Sequence, residues 1–206
     1  MNIFHFSDMH GNLSLIESIP EETDLIVSSG DFFPNCSRGN RKKEPLFQES
    51  WLNANKQKIV DSFRDLPVLC VNGNHDFISL ADMLLTCTEV TPSGVKFGGF
   101  TFSGFGEIPF IFGEWNREVQ DDELKKLAEQ ALASDPDILI VHAPCAGILD
   151  AGYGNRPLLR ALTYQSHNVK YVLHGHVHED GGKIKTEMSV VFSNMAMHGM
   201  LIHVLN

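Results

Sequence analysis

Five turns that carry aspartate or histidine recur along this chain, and four of them directly follow a predicted β-strand. The carboxyl ends of parallel strands meet at one edge of a sheet, so side chains in such turns can share one site. Glycines within the turns allow the backbone segments to approach one another closely. The chain must therefore fold so that these strand ends converge. The five turns are Asp8-Met9-His10, Gly30-Asp31, Gly73-Asn74-His75-Asp76, His142 and Gly175-His176-Val177-His178.

The segments between these turns alternate between strand and helix patterns, and the last third of the chain adds β-hairpins. Apolar residues at helical spacing predict helices, whereas short alternating or continuous apolar runs predict strands. This order favours an α/β (α+β) fold in which two packed, mixed β-sheets are flanked by helices. Strands are predicted near residues 2–7, 24–29, 67–71, 88–105 (with a hairpin at 98–99), 137–141, 169–173, 183–186, 189–193 and 199–205, and helices near residues 13–19, 46–65, 78–85, 119–133 and from about 157.

The composition indicates a single domain over residues 1–206. Apolar residues make up 43% of the chain, enough for one sizeable core, and no linker or repeat interrupts the pattern. The net charge of −10 argues against long nucleic acid as a partner, because a phosphate backbone is attracted to basic surfaces. No apolar run approaches the roughly 20 residues of a membrane span. The first residues also lack the pattern of a signal peptide. We therefore expect a cytoplasmic protein without a membrane partner.

The turns supply ligand types that divalent metal ions bind in proteins. Two aspartates, one asparagine and four histidines exceed the four ligands of a single tetrahedral site. They suit two ions that share a bridging carboxylate. Such a pair supports in-line attack at phosphorus, in which one ion activates water and both stabilise charge on the phosphoryl oxygens. His75 and Asp76 are left over. An imidazole followed by a carboxylate suits proton transfer, although a Gly-Asn-His-Asp run alone is also compatible with an ordinary turn.

The ordered pattern D-x-H, G-D, G-N-H-D, H and G-H-x-H, which runs from Asp8 to His178, resembles the calcineurin-like metallophosphoesterase superfamily. The resemblance implies a four-layer α/β–β/α sandwich and a phosphoesterase with a dinuclear metal site. It also implies that His75 protonates the leaving oxygen or stabilises the transition state, and that Asp76 orients His75.

The resemblance further implies how the two ions are held. Mn²⁺ is the expected metal, and a mixed set of His, Asp and Asn ligands also accepts Fe, Zn, Co or Ni. One ion is expected at Asp8, His10 and His178, the other at Asn74, His142 and His176, and Asp31 is expected to bridge them.

The chain departs from some subfamilies at two places. Protein Ser/Thr phosphatases and related dinucleoside polyphosphatases carry phosphate-binding arginines after the Gly-Asp turn and just before the Gly-Asn-His turn. Here Phe32-Phe33-Pro34-Asn35 follows the first turn, and Val71-Asn72 precedes the second, so these arginines are missing. The chain is therefore more similar to the compact phosphodiesterase branch, which includes class III cyclic-nucleotide phosphodiesterases. We expect hydrolysis of a small or nucleotide-type phosphodiester, with His75 assisting the leaving group.

Two residues are candidates for substrate contacts, and two other functions stay open. Asn12 and Arg156 lie near the first and fourth turns, where the alternatives are a helix cap and an ordinary turn. The alternative functions are a phosphomonoesterase with the same dinuclear site and a protein-binding scaffold on the same fold. Scaffolds of this fold typically lose the catalytic imidazole, which this chain retains as His75.

Overall fold

Two β-sheets form the centre of the computed structural model, which describes residues 1–205. The strands are β1 (Asn2–Phe6), β2 (Leu25–Ser28), β3 (Val68–Cys70), β4 (Cys87–Glu89), β5 (Val95–Phe97), β6 (Phe100–Phe105), β7 (Ile108–Pro109), β8 (Glu118–Val119), β9 (Ile138–Val141), β10 (Tyr171–His174), β11 (Lys183–Glu187), β12 (Val190–Asn194) and β13 (Gly199–His203). The α-helices are α1 (Glu44–Phe63), α2 (Leu80–Met83), α3 (Asp121–Ala133) and α4 (Arg156–Tyr164), and two short 3₁₀ helices span Leu13–Leu15 and His178–Asp180.

Both sheets are mixed, as predicted. The first has the strand order β13-β1-β2-β3-β4, in which β1 to β4 are parallel and β13 is antiparallel. The second has the order β11-β12-β10-β9-β6-β5, in which the four central strands are parallel and the two edge strands are antiparallel. The carboxyl ends of the parallel strands therefore lie at one edge of each sheet, where the Asp and His turns begin.

The alternation of side chains along each strand divides the core into layers. In β1, Ile3 packs between the two sheets, whereas Phe4 packs outward with residues of α1. In β9, Ile140 packs between the sheets, whereas Leu139 packs outward with residues of α3 and α4. The order of layers is therefore helix, sheet, sheet and helix, and the predicted four-layer fold is confirmed. The core shared by the two sheets supports a single domain, which stays a prediction, and residue 206 lies outside the described residues.

Two helices differ from the predictions. The helix expected over residues 13–19 is only one 3₁₀ turn, because Asn12 Oδ1 accepts hydrogen bonds from both the backbone N–H and the hydroxyl of Ser14 and stabilises a tighter turn. The helix α1 begins and ends two residues earlier than predicted, and its apolar residue Phe47 is exposed. The face that is buried instead includes the polar residues Glu44 and Gln48.

The buried polar residues of α1 hold neighbouring loops. The Glu44 carboxylate accepts hydrogen bonds from the backbone N–H groups of Cys36, Ser37 and Gly39. Gln48 donates to the carbonyl of His75 at 2.7 Å and accepts from the N–H of Phe77 at 2.8 Å. The helix therefore stabilises the Gly73–Asp76 turn directly. Across the described residues 1–205, no helix has the length and apolar character needed to cross a membrane.

Replacing Ile140 with alanine should lower the free energy of unfolding by about 3 kcal/mol, because the side chain is fully buried between the sheets and a cavity would remain. Ile184→Ala is the matched control, since Ile184 lies exposed on the edge strand β11 and should cost less than about 1 kcal/mol. Urea denaturation of the three proteins measures both values. Equal losses for the two variants would contradict the assignment of the inter-sheet core.

Candidate metal centre

The predicted site residues follow five parallel strands, three in the first sheet and two in the second. The turns after β1, β2 and β3 carry Asp8 with His10, Asp31 and Asn74, and those after β9 and β10 carry His142 and His176 with His178. The structure thus brings together turns that are up to 170 residues apart in the chain, as in the pair Asp8 and His178.

Close backbone packing holds these turns together. A Cβ atom on Gly73 would overlap Asp31 Oδ1, and one on Gly175 would overlap Ser7 Oγ. Glycine is therefore required at both positions. Asp8 and Asp31 themselves have positive φ values of 52° and 54°. Such conformations cost non-glycine residues about 1–3 kcal/mol and are retained mainly where the surroundings or the function demand them.

One group of possible ligands consists of Asp8, His10 and His178. Asp8 Oδ1 lies 3.1 Å from His178 Nε2 and 4.0 Å from His10 Nε2. The two imidazole Nε2 atoms are 3.4 Å apart. One carboxylate oxygen and two ring nitrogens therefore converge on a point where a cation could be held.

A second group surrounds Asp31. Its Oδ2 lies 3.3 Å from His142 Nε2 and 3.9 Å from His10 Nε2. His142 Nε2 is also 3.0 Å from Asn74 Oδ1, and the rings of His142 and His176 have centroids 5.0 Å apart. Asp31 is thus close to His10 of the first group as well as to His142. All seven predicted ligands lie in one cluster, and their assignment to two ions stays a prediction.

Hydrogen bonds outside the cluster orient two of these ligands. Asp8 Oδ2 accepts from Ser7 Oγ at 2.6 Å and from the N–H of His176 at 2.8 Å, which leaves Oδ1 facing His178. His142 Nδ1 donates to the carbonyl of Ser29 at 2.8 Å, so its Nε2 faces the cluster. Partners of this kind fix the tautomer and ring orientation that metal binding needs.

The electrostatics of the centre favour a cation. Burial alone would raise the pKa of Asp31, but the charge of His142 and its hydrogen bond outweigh burial and lower that pKa. In return, although burial opposes the charged ring, Asp31 raises the pKa of His142 to about 9. Without metal, a proton on His142 therefore balances part of the buried negative charge. The donor set of carboxylates, an amide oxygen and imidazoles fits a divalent transition-metal ion in place of that proton.

His75 is held by a residue that the sequence analysis missed. Asn35 Nδ2 donates to the carbonyl of His75 at 3.0 Å, so Asn35 Oδ1 must face His75 Nδ1, which lies 2.6 Å away. That oxygen can only accept, so Nδ1 carries the proton and Nε2 is the ring nitrogen available to the site. Trp115 packs against the same ring with centroids 4.0 Å apart. Burial is the main cause that lowers the pKa of His75.

Asp76 does not orient the ring of His75, and that interpretation is corrected. Its carboxylate accepts hydrogen bonds from the backbone N–H groups of Asp31, Gly73 and Phe33, at 2.8, 2.8 and 3.0 Å. Adjacent residues in a tight turn point in different directions, so proximity in sequence did not bring the two side chains together. Burial and the charge of Asp31 raise the pKa of Asp76 to about 7. Asp76 ties the turn after β2 to the turn after β3.

The segment between β7 and β8 forms a wall beside His75. The Glu118 carboxylate accepts hydrogen bonds from four backbone N–H groups of this segment, those of Ile111, Phe112, Gly113 and Trp115. Asn116 Nδ2 also donates to the carbonyl of Asp76 at 2.7 Å. No periodicity marks the segment, so sequence patterns had no means of finding Trp115 or Glu118.

The two candidate substrate residues have different surroundings. Asn12 Oδ1 accepts from the N–H of Ser14 and so caps the 3₁₀ turn, which was the alternative to substrate contact. Arg156 begins α4 and lines, with His176, a pocket of about 380 Å³. At the start of α4, Asn155 Oδ1 accepts from the N–H of Leu158 at 2.9 Å, so this amide is not free to bind an anion. Substrate contact by Asn12 or Arg156 stays a prediction.

Two mixed sheets between helix layers, with aspartate and histidine turns at the strand ends, define a metallophosphoesterase fold. A family model described as calcineurin-like phosphoesterase matches residues 1–180, so the chain belongs to this family. The family is one of metal-dependent hydrolases that act on phosphoester bonds. In the comparison with curated proteins, nothing matches the chain.

Binding of Mn²⁺ to metal-stripped protein at about pH 7.5 should release a proton from His142, because its pKa is about 9 and an ion requires the lone pair on Nε2. Apparent affinity should therefore rise by up to about tenfold per pH unit as the pH approaches 9. Calorimetric titration with MnCl₂ in two buffers of different ionisation enthalpy counts the protons released.

His142→Gln provides the comparison for this titration, since glutamine carries no ionisable proton. The variant should bind Mn²⁺ more weakly and release about one proton fewer. Identical proton counts for the two proteins would contradict a protonated His142 in the metal-free centre.

Proposed function

We propose that this protein is a phosphodiesterase with a dinuclear metal centre that hydrolyses a small or nucleotide-type phosphodiester. In this proposal Asp8, His10 and His178 hold one ion. Asn74, His142 and His176 hold the other, and Asp31 bridges them. The observation that carries the dinuclear site is the position of Asp31, whose Oδ2 lies 3.3 Å from His142 Nε2 and 3.9 Å from His10 Nε2. We propose Mn²⁺ as the metal, although the same donor set accepts Fe, Zn, Co or Ni.

The preference for a diester is supported by what lies beside the two central turns. Phe32 and Phe33, which follow Asp31, are buried, as are Val71 and Asn72, which precede Gly73. Protein Ser/Thr phosphatases and related dinucleoside polyphosphatases carry phosphate-binding arginines in the segments that follow the first turn and precede the second. A terminal phosphomonoester has two negative charges to neutralise at neutral pH and gains more from such cations than a singly charged diester does. Without them, the centre suits the diester better.

The residues around His75 support a role at the leaving group. When bound, the metal ions supply an activated water and stabilise negative charge on the phosphoryl oxygens. Asn35 accepts the Nδ1 proton of His75, and Trp115 packs against the ring. When the ring carries a second proton, that proton is on Nε2, which is the atom that can give it to the leaving oxygen and is then left as the neutral ring protonated on Nδ1. The ring lies against His10, with centroids 4.8 Å apart, and one of its nitrogens lies within 4.8 Å of possible ligand atoms of His10 and Asp31, so the ring borders the centre directly. His75 is the proposed catalytic residue, and Asn35 is the residue that positions its ring. Asp76 holds the turn after β2 against the turn after β3.

The proposed partner is a small phosphoester. Long nucleic acid is not proposed, because the chain has a net charge of −10. The cytoplasmic location expected from the sequence stays a prediction.

Metal-stripped protein reloaded with Mn²⁺ should hydrolyse bis(p-nitrophenyl) phosphate with a higher kcat/KM than p-nitrophenyl phosphate. His75→Ala should lower kcat on the diester by at least about 100-fold, the usual contribution of a general acid, while metal content stays near that of the unaltered protein. Asn74→Ala should lose both activity and metal.

His203→Ala is the matched histidine control, because His203 is exposed and its ring contacts Asn2 rather than the centre. Its activity should be unchanged. Faster hydrolysis of the monoester would keep the metal centre and replace the diesterase by a phosphomonoesterase. A protein that binds two ions and hydrolyses neither ester would favour the scaffold.

Exchanging Asn35 should alter catalysis through His75. Asn35→Ala removes the partner of Nδ1 and should lower kcat by about 10- to 100-fold at unchanged metal content. Asn35→Asp places a carboxylate beside Nδ1, which raises the pKa of His75. If protonated His75 is the acid, the fall in kcat at high pH should then move to a higher pH. A pH profile that is the same in Asn35→Asp and the unaltered protein would contradict this role.

A further inference from the structure

A pocket of about 380 Å³ opens beside the metal centre at His176. Two loops line it, the segment after β7 and the segment before α4. Its volume lies within the usual range for sites that bind small molecules. We call it the ring pocket. Its side chains that matter here are Phe110, Ile111, Tyr153, Asp121, Arg156 and His176.

The apolar side chains that line the ring pocket are exposed to solvent. Tyr153 is 66% exposed, Phe110 49% and Ile111 39%. Exposed apolar side chains that cluster at a concave surface are typical of a binding site, because covering them with a ligand removes apolar area from water. The phenol of Tyr153 and the phenyl ring of Phe110 come from different loops, so a planar group between the loops can contact both.

Both loops are held in place before any ligand binds. Glu118 binds four backbone N–H groups between residues 111 and 115. On the other side, Asp150 Oδ2 accepts from the N–H groups of Gly147 and Gly154, at 2.9 and 3.1 Å. A site whose loops are already ordered loses less entropy on binding. The backbone from which the aromatic side chains project is therefore ordered before a ligand binds.

The charged residues of the pocket point to the rest of the ligand. Arg156 supplies a permanent positive charge, and His176 joins the pocket to the proposed metal centre. A phosphoryl group at the centre would be attracted by this arginine. A substituent on that phosphoryl group would extend toward Phe110 and Tyr153, with Asp121 available to accept a hydrogen bond from an amino group.

We propose that the ring pocket binds a planar aromatic group carried by the phosphoester substrate, as in an aryl ester or a nucleoside ester. The assignment rests on the proposed function for the position of the phosphoryl group. It adds Phe110 and Tyr153 as residues that determine specificity. An aliphatic phosphoester would leave both rings uncovered and would bind less tightly.

A groove between α3 and α4 provides the control. It has a volume of about 410 Å³ and is lined by Lys125 and Arg160 together with Asp122 and Glu129. Tyr164, 83% exposed, also lines it. The groove adjoins the ring pocket, since Asp121 and Arg156 line both, but Tyr164 lines only the groove and no predicted metal ligand does. Tyr164→Ala therefore removes an exposed tyrosine that does not line the ring pocket.

Binding of two phosphonates that are not hydrolysed tests the proposal without turnover. Calorimetric titration of the Mn²⁺-loaded protein compares phenylphosphonate with methylphosphonate. The unaltered protein should bind the phenyl compound about tenfold more tightly, since a ring in contact with both side chains removes apolar area from water. Phe110→Ala and Tyr153→Ala should each raise the Kd of phenylphosphonate by threefold or more. The Kd of methylphosphonate should stay within about twofold of its value in the unaltered protein. Tyr164→Ala should change neither.

The outcomes separate this proposal from the proposed function. A phenyl preference that depends on Phe110 and Tyr153 supports the ring pocket even if no ester is hydrolysed. A protein that hydrolyses diesters but shows no phenyl preference, including one that binds neither phosphonate, overturns the ring pocket and keeps the phosphodiesterase. Equal weakening of both phosphonates in Tyr153→Ala, or loss of the preference in Tyr164→Ala, also overturns it. Thermal unfolding of each variant verifies that the substitution leaves the fold intact.

Discussion

The contact between the carboxyl ends of two different sheets is the constraint on which the centre depends. Gly175, after β10, packs against Ser7 and Asp8, after β1, so closely that no side chain fits. His142, after β9, donates to the carbonyl of Ser29, after β2. Neither sheet alone carries the complete set of candidate ligands. The packing between the sheets therefore determines whether a metal centre can form. The fully buried Ile140 belongs to this packing, so it stabilises both the core and the arrangement of the turns.

The buried charges explain why the centre needs a cation. Asp8 and Asp31 are both shielded from water, and two carboxylates in such surroundings are stabilised only by positive partners. In the metal-free protein, His142 and His178 provide partners through their contacts with Asp31 and Asp8. In the proposed centre, these are the same nitrogen atoms that an ion would take as ligands. Protons and metal ions therefore compete for one set of positions, and the protein is built to tolerate either.

Sequence patterns predicted the sheets and the cluster but not the contacts that surround it. Strand alternation and the turns after each strand are local signals, so β1, β2, β3, β9 and β10 could be predicted together with the Asp and His residues that follow them. Asn35 and Trp115 contact His75 only through tertiary packing, and neither has a spacing that marks it. For Asp76, the sequence predicted a contact that does not form. Its position next to His75 suggested that its carboxylate contacts the ring, but the turn directs the two side chains apart. The helix predicted from residue 13 was wrong because Asn12 stabilises a tighter turn.

The four hydrogen bonds to Glu118 have a consequence for how such a protein can change over time. The loop that presents Phe110 and Trp115 is shaped by a residue outside the proposed ligand set, at the start of β8. Substitutions within the loop can thus alter its surface while the strand-end turns and their charges stay as they are. In the two proposals, Phe110 contributes to selectivity from the same loop whose Trp115 packs against His75. New substrates could be acquired by exchanging residues 110–113, with Glu118 retained as the anchor and Trp115 retained beside His75.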